Sequence, residues 1–382
     1  MDWLRSRHRI AEPKPLEPLR FPAIDPAMTD SSAKVGVLTF HRCINYGSYW
    51  QARCLVEGLR AAGHDAWLLD HHDDAVARAE WRCAFQPTLP ARTLAADLPA
   101  YKAKGRRFAA AFERLPLSPR FALRDPAALR DHRAVVVGSD EVWNFRHPWY
   151  ASVPLFFGEG LRAARRVSYA ASFGNHDAVD GIGAEWAARL RRFTAISVRD
   201  ANARALVAAA IGTEPPLVPD PVLQFAAHVP RANGRERYAL VYGHGFPDWL
   251  AAAMRRWSAR HGLTLHSIGY RNDWADVQEI DAGPEAFAER AAGASALVTN
   301  FFHGCVFALV NDTPFVTAPS PYRFNKVRDL AAALDAGHRI VAPDTDDAAY
   351  DALLTEPPAE RVAAPLARLR AEASDFLATA LG

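Results

Sequence analysis

Residues 296–316 read ALVTNFFHGCVFALVNDTPFV. The run Ala296-Leu297-Val298-Thr299 has the apolar content and β-branching of a buried strand end. It breaks at Asn300-Phe301-Phe302-His303-Gly304, and an apolar segment of helical length follows over 305–310. Asn311-Asp312 closes that segment, and Thr313-Pro314-Phe315-Val316 opens a new strand. The pattern predicts a strand–loop–helix–strand unit, with His303 and Gly304 at the helix start. Backbone N–H groups at such a start favour anions, and Gly304 has no side chain to block their approach. One reading is a titratable imidazole beside an anion hole. The other is a histidine that only caps or packs a turn. The remaining sequence bears on that choice.

Upstream, 34–40 (KVGVLTF) predicts a short apolar strand, 41–48 a polar turn and 49–62 a helix ended by Gly63. A strand at 66–70 completes a β–α–β unit. The text over 75–115 is helical and basic, with Arg106, Arg107 and Arg114 around Phe108 and Phe112. The aromatic residues fall at core spacing, and the basic face is a candidate for a membrane surface or an acceptor. Strands are expected at 134–137, 167–174, 195–198 and 216–218, the last closing on Pro219-Asp220-Pro221. Polar residues cluster at four successive strand ends: Asn45 and Ser48, Ser139 and Asp140, Ser172, then Arg199 and Asp200. Open α/β sheets bind ligands at that end of their strands.

The polar stretch 228–237 (HVPRANGRER) reads as a linker, and a second α/β series starts at 238–243. It continues through a helix at 249–261, a strand at 264–269, a helix near 284–292 and the opening stretch. A terminal helix at 365–381 is a candidate to return to the first domain. The expected architecture is α/β, with two doubly wound, Rossmann-like domains facing across a cleft. An extended tail would occupy 1–32, the first domain 33–230 and the second 236–382.

At 382 residues, 50% hydrophobic and 23% charged, the chain has the composition of a globular protein of about two domains. A net charge of +2 gives no basis for a nucleic-acid partner. The four cysteines lack metal-site spacing, so no metal is expected, and they read as reduced thiols in a cytoplasmic protein. The first residues lack a signal-peptide core and no apolar run is long enough to span a bilayer. Membrane contact would be peripheral, at the inner face, and the tail is a candidate for a homo-oligomer interface.

Six motifs occur in order: NYGSYWQ (45–51), GSDEVWN (138–144), SYAASFG (168–174), ISVRD (196–200), DP (220–221) and FHG (302–304). Together they resemble the polysaccharide pyruvyl transferase family over roughly 35–339. The resemblance implies a GT-B-like fold and transfer of the enolpyruvyl carbons of phosphoenolpyruvate to two hydroxyls of one sugar. The products would be a cyclic pyruvyl ketal and phosphate. The acceptor would be a nucleotide- or lipid-linked saccharide destined for a bacterial envelope polymer or exopolysaccharide. Phosphoenolpyruvate would be a co-substrate, with no further cofactor.

Such chemistry needs cations and N–H donors for phosphate and carboxylate, a proton donor to the methylene carbon and a base for the hydroxyl. His303 fits the acid or phosphate partner, with the backbone at Gly304 and Cys305 as cradle. Arg199 fits an anion clamp, as the family's ISVRE-like motif implies, or a structural ion pair with Asp200 or Asp220. Either Asp140 or Asp220 could take the acceptor proton, and Asp220 is also a plausible turn residue. Asn45, Ser48, Ser139 and Ser172 would line the acceptor side, and Trp143 could stack on a sugar or belong to the core.

Some family members have an Arg two residues before the motif His, where this chain has Phe301. Arg323 and Lys326 are the best replacements. Two other readings remain open: a GT-B-like glycosyltransferase, with Asp281 or Glu285 holding a nucleotide ribose, and a non-catalytic binding homologue.

Overall fold

Two parallel five-stranded sheets position everything else. The computed structural model describes residues 34–320 and 322–382, and the expected tail at 1–32 lies outside the described residues. The strands are β1 (Val35–Leu38), β2 (Ala66–Leu68), β3 (His71–His72), β4 (Phe121–Ala122), β5 (His132–Val137), β6 (Ala163–Ala171) and β7 (Ala195–Val198), then β8 (Glu236–Tyr242), β9 (Thr264–Ile268), β10 (Val277–Glu279), β11 (Ala294–Thr299) and β12 (Phe315–Thr317). The first sheet has the order β2-β1-β5-β6-β7 and the second β10-β9-β8-β11-β12. In both, the chain winds outward from a central strand, first one way and then the other, which is the doubly wound pattern. Strands β3 and β4 form a separate two-stranded ladder.

The helices are α1 (Tyr46–Ala61), α2 (Asp74–Phe85), α3 (Leu98–Phe112), α4 (Ala184–Leu190), α5 (Ala201–Ile211) and α6 (Pro221–Gln224), then α7 (Asp248–His261), α8 (Pro284–Gly293), α9 (Phe302–Val310), α10 (Phe324–Ala333), α11 (Asp347–Leu353) and α12 (Ala359–Leu381). The two sheets meet at a shared cleft, lined by residues that follow strands of both.

Helix α1 joins the two halves. It starts at Tyr46, earlier than expected, because the Asn45 side chain caps it by accepting from the Ser48 amide (3.2 Å). The side of α1 away from its own sheet meets the second domain. Tyr46 Oη donates to the Ala282 carbonyl (2.7 Å), Trp50 Nε1 to the Pro284 carbonyl (2.9 Å), and Tyr46 stacks on Phe287 with centroids 4.3 Å apart. One continuous apolar core therefore runs from Val35 and Leu55 through Tyr46 to Phe287 and Phe307.

The basic text at 75–115 divides into α2 and α3. Two of its arginines bridge the domains: Arg107 pairs with Asp281, and Arg114 donates to Glu285 (2.6 Å). The terminal helix α12 starts ahead of Pro365 and lies against the first domain. Arg165 Nη1 donates to the Ala380 carbonyl (3.3 Å), and Arg370 Nε to the Leu223 carbonyl (2.8 Å). No helix among the described residues is long and apolar enough to cross a membrane.

Candidate active site

The carboxyl ends of β1, β5 and β7 in the first sheet, and of β8 and β11 in the second, open onto one cavity of about 250 Å³. Its wall includes Asn45, Ser48, Asp140, Arg199, His303, Arg323 and Lys326.

Arg199 follows β7 directly, and its side chain is almost wholly withdrawn from solvent. Nη1 donates to Asp220 Oδ2 (3.0 Å) and Nη2 to Asp140 Oδ1 (3.4 Å), while the guanidinium lies 4.5 Å over the Phe302 ring. A buried guanidinium held by two carboxylates forms a charge-compensated unit. Arg199 is thus committed to ion pairs with Asp140 and Asp220, and Asp200 instead caps α5 by accepting from the Ala203 amide (2.7 Å).

Asp140 ends the β5 loop in the left-handed region (φ 71°), which a short polar side chain tolerates. Gly138 before it has φ +110°, and a Cβ there would lie 2.4 Å from the Tyr169 carbonyl oxygen, so only glycine fits. The turn aims the Asp140 carboxylate into the cavity, where Oδ2 accepts from Ser48 Oγ (2.8 Å). Burial pushes this carboxyl up, but the charges of Arg199 and His303 and the Ser48 hydrogen bond outweigh it and hold it below its ordinary value.

His303 sits in the first turn of α9, with Nε2 3.5 Å from Asp220 Oδ2 and no hydrogen bond at that nitrogen among the described residues. The opposite edge of the ring packs on Gly47, where a Cβ would stand 2.0 Å from Nδ1. Asp220 caps α6 by accepting from the Val222 amide (3.0 Å) and is fully buried behind His303. Its burial raises the carboxyl, yet His303 and Arg199 bring it below the usual value. It is therefore an ionised counter-charge that does not line the cavity, so of the two aspartates only Asp140 is on the wall, which also carries Glu80 and Glu141.

Several expected roles are corrected. The Gly304 and Cys305 amides both donate to the Phe301 carbonyl (3.0 and 3.3 Å), so neither is a free anion cradle. The amides ahead of them, at Phe302 and His303, are those a helix leaves without an intrahelical acceptor. Gly304 is glycine for packing, since a Cβ would lie 2.1 Å from Thr299 Oγ1. Burial pushes the Cys305 thiol up to about 12. Trp143 is a core residue: fully buried, it donates from Nε1 to the Phe156 carbonyl (2.8 Å) and packs on Phe157 and Phe173. Ser139 and Ser172 are also fully buried, donating to the Ala170 carbonyl (3.0 Å) and accepting from the Gly174 amide (3.0 Å). None of these three faces the cavity. Asp281 and Glu285 sit in the Arg107 and Arg114 pairs outside it.

Of the two substitutes for the arginine absent at position 301, Lys326 is paired with Glu141 across the cleft. Arg323 is half-buried, lies 4.2 Å over the Phe301 ring and has no carboxylate partner among the described residues. The structure adds wall residues that sequence reasoning missed. Burial and the charges of Arg323 and Lys104 lower His244 to about 4. Burial raises the Glu80 carboxyl, which accepts from Trp149 Nε1 (2.8 Å) and the Ile44 amide (3.2 Å). Glu141 is legible in the GSDEVWN motif. His244 follows β8 at a sheet end, a position that could have singled it out.

Among curated proteins none matches the chain in sequence at a significant level. Among solved structures, the glycosyltransferase SnogD from Streptomyces nogalater is 16% identical, with 91% of this chain and 99% of that chain covered and a TM-score of 0.43. The glycotransferase of kitacinnamycin is 14% identical, covering 92% and 100%, with a TM-score of 0.43. The E. coli heptosyltransferase WaaC with ADP is 14% identical, covering 75% and 88%, with a TM-score of 0.37. The family model for polysaccharide pyruvyl transferase matches residues 45–318, from the cap of α1 through β12 and across all six motifs. With that match over most of its length, this chain belongs to the polysaccharide pyruvyl transferase family, a family of transferases.

Proposed function

We propose that the protein moves the enolpyruvyl group of phosphoenolpyruvate onto two hydroxyls of a saccharide, giving a pyruvyl ketal and phosphate. The observation that carries this reading is Arg323: a cation without a carboxylate partner among the described residues, in the same cavity as His303 and Asp140. The donor is an anion with both a carboxylate and a phosphate, and a guanidinium can engage either with two parallel hydrogen bonds.

In this scheme His303 protonates the methylene carbon of the donor, and the buried Asp220 orients the ring and balances its charge. The first sugar hydroxyl adds to the adjacent carbon and loses its proton to Asp140. The carbon–oxygen bond to phosphate then breaks, and the second hydroxyl adds to the same carbon, its proton leaving with phosphate. Of the two acceptor hydroxyl protons, one thereby replaces the proton given to the methyl group. Ser48 holds Asp140 in place, and Asn45 presents the α1 start to the acceptor. No cofactor beyond the donor enters the scheme. The acceptor is a nucleotide-linked, lipid-linked or free oligosaccharide for an envelope polymer, met in the cytoplasm or at the inner membrane face.

Phosphate release from phosphoenolpyruvate, measured across a panel of glycosides, tests the reading. Release that depends on glycoside and is lost in His303→Ala supports it, with a fall in kcat of about 10²- to 10⁴-fold expected from losing a general acid. Thermal stabilisation by nucleotide sugars and not by phosphoenolpyruvate would sink it in favour of a glycosyl donor.

A further inference from the structure

Lys104 lies on α3 in the first domain and is 3% exposed. Its Nζ donates to the Gly269 carbonyl of the second domain (2.9 Å), and it sits over the rings of Tyr46 (4.9 Å) and Tyr270 (4.3 Å). An ammonium has three N–H donors. Here one has a carbonyl acceptor, the aromatic faces stabilise the charge without an oxygen acceptor for the other two, and no carboxylate among the described residues pairs with Nζ. A lone buried cation is expensive unless it serves a ligand.

The cavity it lines has two halves of different electrical character. In one half, Arg199 is matched by Asp140 and Asp220, and Lys326 by Glu141. In the other, Lys104 and Arg323 are both unmatched among the described residues, and a single aromatic cluster carries them. Tyr270 lies 5.4 Å from Phe301, and His244 is 5.1 Å from Tyr270 and 5.3 Å from Phe301. Lys104 rides on Tyr270 and Arg323 on Phe301.

We propose that Lys104 and Arg323 together form the dianion subsite of this cavity, one cation from each domain, so that a bound phosphate or phosphate ester ties the domains together across the Tyr270–Phe301 cluster. This deepens the donor reading above, on which it rests, by giving the anion its second cation. Burial lowers Lys104 to about 7, in keeping with a cation whose counter-charge arrives with the ligand.

Calorimetric titration of the full chain with inorganic phosphate, and separately with phosphoenolpyruvate, tests the subsite. Lys104→Met keeps the apolar stem and removes the charge. It is expected to weaken both ligands about 10- to 100-fold, as for loss of a charge-assisted hydrogen bond, without lowering Tm in the ligand-free protein. Lys104→Arg should restore part of the affinity. If Lys104→Met lowers Tm while binding phosphate as tightly as the wild type, the lysine is only structural and the proposal is overturned. It is equally overturned if the wild type binds no phosphate. Lys104-dependent binding of phosphate without turnover of phosphoenolpyruvate by any glycoside would leave the subsite standing and remove the donor reading.

Discussion

The guanidinium of Arg323 lies 4.2 Å over the ring of Phe301, two positions before His303. A cation has thus reached this place from the segment after β12, and the aromatic ring provides its platform. Arg323→Ala is expected to raise the donor KM about 10- to 100-fold with a smaller change in kcat. Arg323→Lys should recover only part of the loss, because a single ammonium cannot donate two parallel bonds. An unchanged donor KM in Arg323→Ala would assign the anion elsewhere.

Arg199 is expected to report on stability first. In Arg199→Met the buried carboxylates of Asp140 and Asp220 lose the guanidinium that pairs both, which should destabilise the fold by about 3–5 kcal/mol. Denaturant midpoints would measure it. A variant as stable as the wild type, with only donor binding weakened, would show that Arg199 is a free clamp.

Gly47 is the floor on which the His303 ring rests. Gly47→Ala places a methyl where Nδ1 stands, 2.0 Å away, so the ring must leave its position beside Asp220. Turnover should fall with His303→Ala as the limit, while the stability loss stays within about 1–3 kcal/mol for overpacking. Full activity in Gly47→Ala would mean that the observed ring position is dispensable.

Two histidines, His71 buried and His244 half-buried, should make the protein acid-sensitive before its carboxylates titrate. His244 is lowered to about 4 and His71 to about 3, in both cases mainly by burial. Each has a folded pKa below its unfolded value near 6.5, so below that pH the unfolded chain takes up protons that the folded chain does not. Stability should therefore fall as pH drops from about 6.5 towards 4. Comparing Tm at pH 7 and pH 5 would show the loss, and His244→Phe should reduce it.

Much of the site is readable in sequence because its signals are local. The helix start before His303 follows from an apolar run broken by Asn300, and Pro-Asp-Pro reads as a turn, which the structure extends into the short helix α6 capped by Asp220. The corrected expectations share one cause: residue type alone suggests the role a side chain has when exposed. Trp143 suits a sugar ring by type, but Phe156, Phe157 and Phe173 enclose it. Arg107 and Arg114 suit one basic helix face, but each meets a carboxylate of the other domain. Lys104 shares the buried side of α3 with Tyr101, Phe108 and Phe112, so its place at core spacing was the available clue.

Hydrophobic periodicity and turn residues are properties of neighbouring positions, and they sufficed for two doubly wound sheets with polar residues gathered at their strand ends. Which charges face a ligand depends on partners far along the chain. Arg199 and Asp140 are 59 residues apart, Lys104 and Gly269 are 165, and Lys326 and Glu141 are 185. Burial strengthens each such pairing by lowering the local dielectric. Folding therefore settled that Arg199 is neutralised by Asp140 and Asp220, that Lys326 is matched by Glu141, and that Arg323 and Lys104 line the cavity with no carboxylate partner among the described residues.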